Sequence, residues 1–471
     1  MGSEMCIRDS STGIAMRQKM ISNEINLLRD TFQRLIRRKA NTNLGKLIDK
    51  THPADLALLF RFFNEVEQNK LFSIMKPNDH TGEFLGELDE SIIKRLIENE
   101  SAEHVAELIQ FTTSNDKTSI LNILDEEYSQ SILDLLQSEE LEELEEIMGY
   151  PDDSAGSLMY TDVFTLHENT IAKEAINALQ DHESSEMVFY LYVIDDDNIL
   201  VGIISLRDLV TTPQNTRLKD MMTRSLQSVR PETDQEEVAR IVSQYNFLAV
   251  PVVDAEGQLL GIVTVDEIVD VIREEATEDF FQMAGAGKDR EILMKSSWDN
   301  AKSRFPWLFA SWIGGVCAAA IIGFFDNTLQ NTLALAAFIP VIIGMGGNIG
   351  TQTSTLVVRG LATGRVNVGN NLTIILKEIR VGVILGILYG LMLGLFAIVR
   401  FLDISPYLGL VVGLGIAGSM LIATAFGSLV PLLLQRLDVD PAIATGPFVT
   451  TSIDILGVSL YLGIANYFLI S

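Results

Sequence analysis

Long apolar stretches fill the C-terminal third of the chain and limit its possible folds more than any other feature. From Phe305 to Phe325 the sequence contains no charged residue, and a helix needs about 20 mostly apolar residues to cross a bilayer. Further apolar stretches follow at approximately 332–358, 381–399, 407–434 and 441–470. Buried core helices of a soluble domain would give shorter runs. The sequence therefore predicts five transmembrane helices.

Basic residues beside these stretches predict the orientation of the chain. Lys and Arg near helix ends mark the cytoplasmic side of a membrane. Ten such residues flank the stretches on one side, and Arg400 lies on the other. The ten are Lys288, Arg290, Lys295, Lys302, Arg304, Arg359, Arg365, Lys377, Arg380 and Arg436. We therefore expect a cell inner or plasma membrane location, with cytoplasmic N-terminal domains and an external C-terminus.

The net charge of −28 belongs to the part of the chain that precedes the apolar stretches. Residues 305–471 contain six basic and six acidic residues, which cancel. An acidic surface repels nucleic acid, whose recognition needs a basic footprint, and attracts cations. Cys6 and Cys317 offer no disulfide framework, which agrees with a reducing cytosol. We expect cations, and no nucleic acid, as partners.

Asp454 lies near the middle of the fifth apolar stretch. A carboxylate at the centre of a membrane helix costs about 2.5 to 3.5 kcal/mol on insertion scales, so such residues usually serve function. The alternative is a structural contact with Thr450, Thr451 or Ser452 on a neighbouring turn. A carboxylate that lines a pathway selects cations. One acid per chain is weak for a divalent ion, whereas two chains around a shared axis would supply a pair.

Glycines in two apolar stretches predict two different roles. In the second stretch, Pro340 precedes the segment 344–354, which is rich in glycine, threonine and serine, and this composition predicts a broken or distorted helix whose polar groups line a wet cavity. In the third stretch, small residues recur every four positions and predict close helix packing. The latter are Gly382, Gly386, Gly390 and Gly394.

An internal repeat occupies residues 152–275. The segment 191–210 overlays 249–269, with Gly202 aligned to Gly261, and Met159 aligns to Met222 upstream. Each copy predicts a short strand, a helix, two alternating apolar strands and a closing helix. This pattern resembles a tandem pair of CBS domains.

The CBS resemblance implies a nucleotide site. In that family a hydroxyl and a carboxylate at a helix start hold the ribose of an adenosine nucleotide such as ATP. The matching residues are Ser205 with Asp208 in the first copy and Thr264 with Glu267 in the second, where Glu replaces the usual Asp. The alternative is plain helix capping, which uses the same arrangement.

The part before the repeat, 21–150, shows helical apolar spacing and is acidic. It predicts an all-helical domain, preceded by a segment, 1–20, that resembles a cloning scar or a disordered terminus. We find no nucleophile with base partners and expect no enzyme. His52, His104 and His167 lack a metal-ligand spacing.

The order of these parts resembles the MgtE family of magnesium channels. Local segments resemble it too, namely YPDDSAGSLM (150–159), EEATEDFFQMAG (274–285), IPVIIGMGGNIGTQTSTLVVRGLAT (339–363), KEIRVG (377–382) and VDPAIATGPFVTTSIDILG (439–457). The resemblance implies a multidomain membrane protein with an all-α superhelical N-terminal domain, α/β tandem CBS domains, a long linking helix and an α-helical transmembrane domain. The expected boundaries are 21–150, 151–215, 216–272, 273–304 and 305–471.

The resemblance also implies metal sites in a homodimer. Asp454 matches the pore acid, with Asn348 beside it, and Glu378 matches an acid at the start of the third helix, although the sequence equally allows an exposed interfacial Glu. The expected cytosolic sensor acids are Asp234, Glu236, Glu267, Asp270, Glu274, Glu275, Glu278 and Asp279, with Glu103 and Glu107 in the helical domain. Asn246 occupies the place of one sensor acid, which would weaken one site.

The mechanism that the resemblance implies is feedback gating of Mg²⁺ uptake. Mg²⁺ bridges acidic surfaces in the cytosol and holds a plug helix over the pore; without Mg²⁺, the acids repel one another and the plug moves away. Two alternatives stay open. One is transport of another divalent ion such as Co²⁺ or Mn²⁺, which oxygen ligands do not exclude; the other is a nucleotide-sensing membrane receptor that transports nothing.

Overall fold

A computed structural model describes residues 25–98, 100–181, 189–224, 226–286, 296–364, 366, 371–401, 407–437 and 439–469. The expectation for 1–20 lies outside these residues, as do Lys288, Arg290, Lys295 and Arg365. The chain forms two compact units, 1–269 and 270–471.

Short helices form the first part of the N-terminal unit, which we call the helical domain. They are α1 (described over 25–37), α2 (Asn41–Ile48), α3 (Pro53–Phe60), α4 (Glu65–Phe72), α5 (Asp79–Gly86), α6 (Glu90–Ile97), α7 (Ala102–Ile109), α8 (Ser114–Asn122), α9 (Glu126–Leu133) and α10 (Ser138–Met148). From α3 to α8 each helix packs on the next but one. Leucine, isoleucine and phenylalanine side chains form one buried core between them. The expected all-helical, superhelical domain is confirmed.

The helix starts in this domain recur at intervals close to twelve residues, a period that the sequence analysis missed. From α3 onwards the residue before each start is polar, and five of these residues cap the helix with their side chains. For example, Asn64 accepts a hydrogen bond from the Glu67 amide at 3.0 Å, and Thr113 accepts one from Asp116 at 3.2 Å. Such caps satisfy amides that the helix leaves without partners. These caps therefore mark the start of five of the repeats.

A substitution at Gly82 tests the packing between helices of the helical domain, because a Cβ atom at this position would lie 1.7 Å from the carbonyl oxygen of Phe111. We expect Gly82→Ala to destabilise the helical domain by about 2 kcal/mol or more, since backbone must move to relieve the overlap. Gly45→Ala is the matched control: its Cβ would meet only Ile74, at 3.7 Å, and we expect a gain of about 0.5 to 1 kcal/mol. Hydrogen exchange of the domain's amides in the full chain measures both, and equal effects would contradict the packing.

Two matching halves form the rest of the unit, the CBS pair. The elements are α11 (Ala155–Leu158), β1 (Thr165–His167), α12 (Ala172–Asp181), β2 (Tyr190–Ile194), β3 (Leu200–Ser205), α13 (Leu206–Thr211), α14 (Leu218–Met221), α15 (Gln235–Tyr245), β4 (Ala249–Val253), β5 (Leu259–Thr264) and α16 (Val265–Met283). Strand β2 pairs parallel with β1 and antiparallel with β3, and β4 pairs antiparallel with β5.

The repeat predicted from sequence is confirmed in the strand register. Gly202 lies opposite Val193 in the first half, and Gly261 lies opposite Val252 at the equivalent place in the second. A methionine from each half also packs against the glycine of the other half. Met222 packs against Gly202, and Met159 packs against Gly261. A side chain at either glycine would overlap the methionine, so glycine is required for this contact.

The second unit contains five helices long and apolar enough to cross a membrane, which confirms the predicted number. They are α17 (Ser297–Phe324), α19 (Ile339–Ala362), α20 (Asn371–Arg400), α21 (Leu408–Arg436) and α22 (Pro447–Leu469). A short helix α18 (Asp326–Asn331) and a 3₁₀ turn (Leu333–Phe338) join the first two, and a second 3₁₀ turn (Pro441–Thr445) precedes the last. We call α17–α22 the membrane unit.

The glycine stripe of α20 packs against α21, as predicted. The Cβ positions of Gly390 and Gly394 would lie 2.8 and 2.7 Å from the carbonyl oxygens of Gly413 and Gly409. Backbones can approach so closely only where both helices carry small residues.

The prediction of a broken second helix is wrong. Helix α19 is continuous from Ile339 to Ala362, and Pro340 lies in its first turn, where its missing amide costs nothing. The glycines serve packing instead. The Cβ position of Gly346 would lie 2.7 Å from the Ser419 hydroxyl, and that of Gly350 would lie 2.2 Å from the Ile453 side chain. Close contact with α21 and α22 therefore explains these glycines.

Candidate ion pathway and regulatory sites

Asp454 lies in the third turn of α22 and is partly buried. Within the described residues its carboxylate makes no hydrogen bond or ion pair. Thr450 and Ser452 donate to carbonyls of their own helix, to Pro447 at 3.2 Å and Phe448 at 2.8 Å. The alternative of a carboxylate held by a neighbouring turn is therefore wrong. Asp454 keeps its full capacity to accept a cation.

The neighbour of Asp454 on α19 is Gly347, whose Cβ position would lie 3.7 Å from Asp454 Oδ1. Gly344, Gly347, Asn348 and Thr351 share one face of α19, by helical spacing. This face is open in the single chain: Gly344 has no neighbour within 4 Å of its Cβ position, and Asn348 is exposed. The structure thus puts Asp454 beside the polar face of α19 that carries Asn348.

Glu378 lies elsewhere. Its side chain is buried on α20, with 9% of the residue exposed, and accepts a hydrogen bond from Thr353 Oγ1 at 3.4 Å. The alternative of an exposed interfacial Glu is therefore wrong. Thr353 is buried on α19, six residues after Gly347 and on a different face, which corresponds to about 9 Å along the helix. Glu378 thus does not share the open face that Asp454 borders.

The end of α16 lies against the membrane unit. Ser303 Oγ donates to the Ala286 carbonyl at 3.2 Å. The Gly285 Cβ position would lie 3.0 Å from the Pro447 ring, at the start of α22. The end of α16 therefore contacts the start of the helix that carries Asp454.

The negative charge of Asp440 acts on Asp279, which lies near the end of α16. Asp440 itself precedes the 3₁₀ turn before α22. Burial first, and then the charge of Asp440, raises the pKa of the Asp279 carboxyl from 3.8 to about 6, with Arg359 acting in the opposite direction. Asp440 accepts a hydrogen bond from the Ala442 amide at 2.8 Å. Sequence reasoning missed Asp440, although it lies in the quoted segment 439–457.

A buried amide adds an oxygen at the same end of α16. Gln282 is 1% exposed, donates to Glu278 at 2.8 Å, and leaves its own Oε1 without a partner. Oxygen ligands of this kind suit Mg²⁺, which keeps several waters and takes one or two carboxylates. The carboxylates of Asp279 and Asp440, whose charges act on each other, are of the kind that such an ion takes.

The remaining sensor candidates are dispersed in the single chain. No group of three or more His, Cys, Asp or Glu residues able to hold a metal occurs among the described residues. Asp234 caps α15 by accepting from the Glu236 amide at 2.8 Å, and Asp270 pairs with Arg273 at 2.9 Å. The partly or fully exposed acids are Glu103, Glu107, Glu236, Glu274, Glu275 and Glu278.

Asn246 has a structural reason for being asparagine. It ends α15 in the left-handed conformation, with φ 54°. Asparagine tolerates this conformation better than most residues do, apart from glycine. The backbone therefore accounts for the residue at this position.

The two predicted nucleotide positions differ in their exposure and in the hydrogen bonds that their side chains make. In the first half, Ser205 Oγ donates to Asp208 at 2.7 Å and accepts from the Asp208 amide at 3.1 Å, at the start of α13, and this pair is exposed. In the second half, Thr264 is 7% exposed, and Glu267 accepts a hydrogen bond from Tyr160 Oη at 2.6 Å. Only the first half therefore leaves its hydroxyl and carboxylate open to a ligand.

Family models match most of the chain. Residues 339–464 match MgtE, described as a divalent cation transporter. Residues 51–153 match the MgtE intracellular N domain, and 155–214 and 218–274 each match the CBS domain.

Known proteins resemble the chain over most of its length. It is 34% identical to the magnesium transporter MgtE of Bacillus subtilis (strain 168) over 425 residues, which cover 90% of this chain and 93% of that protein. It is 36% identical over 349 residues to the magnesium transporter MgtE of Thermus thermophilus, covering 73% and 76%. A crystal structure of the cytosolic domain of the Mg²⁺ channel MgtE in complex with ATP matches 52% of this chain and 99% of that one, with 29% identity and a TM-score of 0.49.

The fold and these sites define a membrane protein with five spanning helices and a cytosolic part made of an acidic helical domain and a CBS pair. The chain belongs to the MgtE family of divalent cation transporters. It is therefore a transporter.

Proposed function

We propose that the protein transports Mg²⁺ into the cytosol through a path bordered by Asp454. The observation that carries this proposal is the carboxylate of Asp454 inside a spanning helix, without a described partner and beside the open polar face of α19. Such a carboxylate is costly in a membrane unless water or a cation reaches it. The magnesium transporters that resemble the chain support Mg²⁺ as the cargo.

The open face of α19 supports a homodimer. A face that carries the Asn348 side chain, which has no partner among the described residues, cannot lie against lipid without leaving an amide unsatisfied. In a homodimer the second copy covers this face and supplies a second Asp454. Two carboxylates then hold a hydrated Mg²⁺ by outer-sphere contacts, which agrees with the slow dehydration of this ion. Lipid contacts the apolar outer faces of α17 and α20.

The end of α16 supports gating by cytosolic Mg²⁺. With no cation present, ionised Asp279 beside Asp440 opposes docking of α16, and a bound Mg²⁺ removes this repulsion. We propose that Mg²⁺ between these acids holds α16 in the closed position as the plug. The other sensor candidates, including Asp234, Glu236, Glu267, Asp270 and Glu275, act when domains or subunits bring them together. The C-terminus lies outside the cell in this arrangement.

The open pair Ser205 and Asp208 supports an adenosine nucleotide such as ATP as a second regulator of the transporter. A hydroxyl and a carboxylate at a helix start can bind the ribose hydroxyls. Transport without nucleotide then continues with a different Mg²⁺ threshold. The non-transporting receptor is not retained, because the family is one of transporters.

Flux measurements test the cargo and the role of Asp454. In proteoliposomes of the full chain, Asp454→Asn should lower Mg²⁺ influx by about tenfold or more, because one carboxylate attracts a nearby cation by more than about 1.4 kcal/mol. Asp326→Asn, at the start of α18, removes a carboxylate outside the spanning helices and should leave influx unchanged. Equal influx in wild type and Asp454→Asn would contradict the path. Faster Co²⁺ or Mn²⁺ influx would reassign the cargo.

Asp279→Asn tests the gate. With the cytosolic face free of Mg²⁺, this variant should conduct several-fold less than wild type, because the repulsion from Asp440 that opens the gate is gone. Asp266→Asn removes an exposed acid in the first turn of the same helix that belongs to none of the proposed sites; it is the control and should behave as wild type. Undiminished flux and unchanged Mg²⁺ inhibition in Asp279→Asn would exclude this pair from gating.

Acid should imitate Mg²⁺ at this gate. The pKa of Asp279 is about 6 when α16 is docked and lies nearer 3.8 when it is free, so protonation favours the docked form. The penalty for docking is complete above pH 6 and disappears as pH falls towards 4. Flux without Mg²⁺ should therefore fall with decreasing pH in wild type and fall less in Asp279→Asn.

Nucleotide titrations test the asymmetry of the CBS pair. Asp208→Ala should abolish ATP binding to the full chain, because the ribose loses its carboxylate. Glu267→Gln changes the corresponding acid of the second half, which Tyr160 already occupies, and should leave binding unchanged. Calorimetry with the detergent-solubilised protein measures both, and equal losses would show that both halves bind.

A further inference from the structure

A basic surface occupies one end of the otherwise acidic helical domain. Residues 25–50 contain seven basic and two acidic residues in a chain of net charge −28. The basic ones are Arg29, Arg34, Arg37, Arg38, Lys39, Lys46 and Lys50. We call Arg34, Arg37, Arg38 and Lys39, at the end of α1, the basic cluster. All four are exposed, and three of them border an open depression together with Asp30 and Gln33.

The four side chains of the basic cluster have no acidic partner among the described residues. Among the described residues of the same domain, five of the nine other basic residues form ion pairs with acids, and the four that do not are the single lysines Lys46, Lys50, Lys70 and Lys76. Arg61 contacts Asp89 at 2.7 Å, and Lys94 lies between Glu98 and Asp125 at 3.6 and 3.8 Å. A fold rich in carboxylates thus leaves four neighbouring cations free. Cations near a helix C-terminus do stabilise the helix, but one or two would suffice for that.

The chemistry of this surface indicates its partner. Free guanidinium groups bind phosphate oxygens. On the same face of α1, two turns before Arg34, Leu27 is 68% exposed, and an apolar side chain beside basic ones suits the boundary between headgroups and acyl chains. The spanning helices also keep the cytosolic domains tethered to a membrane, which raises the effective concentration of its lipid. A free nucleic acid has no such tether and meets the repulsion of the whole acidic domain.

We propose that the basic cluster binds the anionic phospholipid headgroups of the membrane that the chain itself spans. The site takes lipid phosphates, with Leu27 entering the headgroup boundary. The interaction is electrostatic, so it weakens at high salt. Lipid binding by the basic cluster depends neither on ion flux nor on the gate, and the experiment that tests it measures neither of them.

Hydrogen exchange of the full chain in nanodiscs tests the proposal. One nanodisc contains phosphatidylcholine alone, and the other contains phosphatidylcholine and phosphatidylglycerol in equal parts. We expect slower exchange over 25–50 in the anionic nanodisc, reversed by high NaCl. Replacing Arg34, Arg37 and Arg38 by Gln together should lower the lipid-bound population about a hundredfold, since each cation near an anionic leaflet contributes a factor of about five. Replacing the same three by Lys should preserve the protection.

A matched control removes three exposed cations of the CBS pair instead: Lys173→Gln, Arg217→Gln and Arg224→Gln together. This variant should keep the protection of 25–50. Equal exchange in the two nanodiscs would overturn the proposal. Protection that is lost in the triple Gln variant but is the same in both lipids would assign the basic cluster to acidic protein surfaces, and protection only upon addition of RNA would assign it to nucleic acid. Either result excludes the lipid.

Discussion

A polar group inside a membrane must meet water, an ion or another polar group, and the membrane unit is organised by this constraint. Glu378 satisfies it by accepting a hydrogen bond from the buried Thr353, and Thr424 and Ser428 of α21 satisfy it by bonding to their own helix. Asp454 and Asn348 have no such partner among the described residues of one chain. These two groups therefore mark the surface at which the single chain is incomplete. The rest of the membrane unit packs mainly through apolar side chains and leaves this surface open.

The sequence alone predicts the parts of this molecule that depend on composition and period. Five apolar stretches become five spanning helices, and the Gly202–Gly261 repeat reappears in the strand register. Errors arose where one residue type serves two purposes. Glycines that could break a helix instead let α19 approach α21 and α22. Asp440 was missed because an acid before a proline also caps a turn, and its partner Asp279 is distant in sequence.

Repulsion between neighbouring carboxylates raises the free energy of the protein, and a bound cation removes this repulsion. At Asp279, burial first and the charge of Asp440 second raise the pKa of the carboxyl to about 6. The CBS pair adds a second asymmetry, because its halves share a fold but not an open site. Duplication supplied two equal units, and one hydrogen bond from Tyr160 is enough to make them unequal. A regulatory ligand can then bind to one half without binding to the other.

The twelve-residue period of the helical domain has a mechanical consequence. Where each helix touches chiefly the next but one, a small rotation at each contact adds to the next, and no single contact bears the full displacement. Small rotations at the successive contacts therefore add up along the domain, so the number of repeats sets how far one end can turn relative to the other.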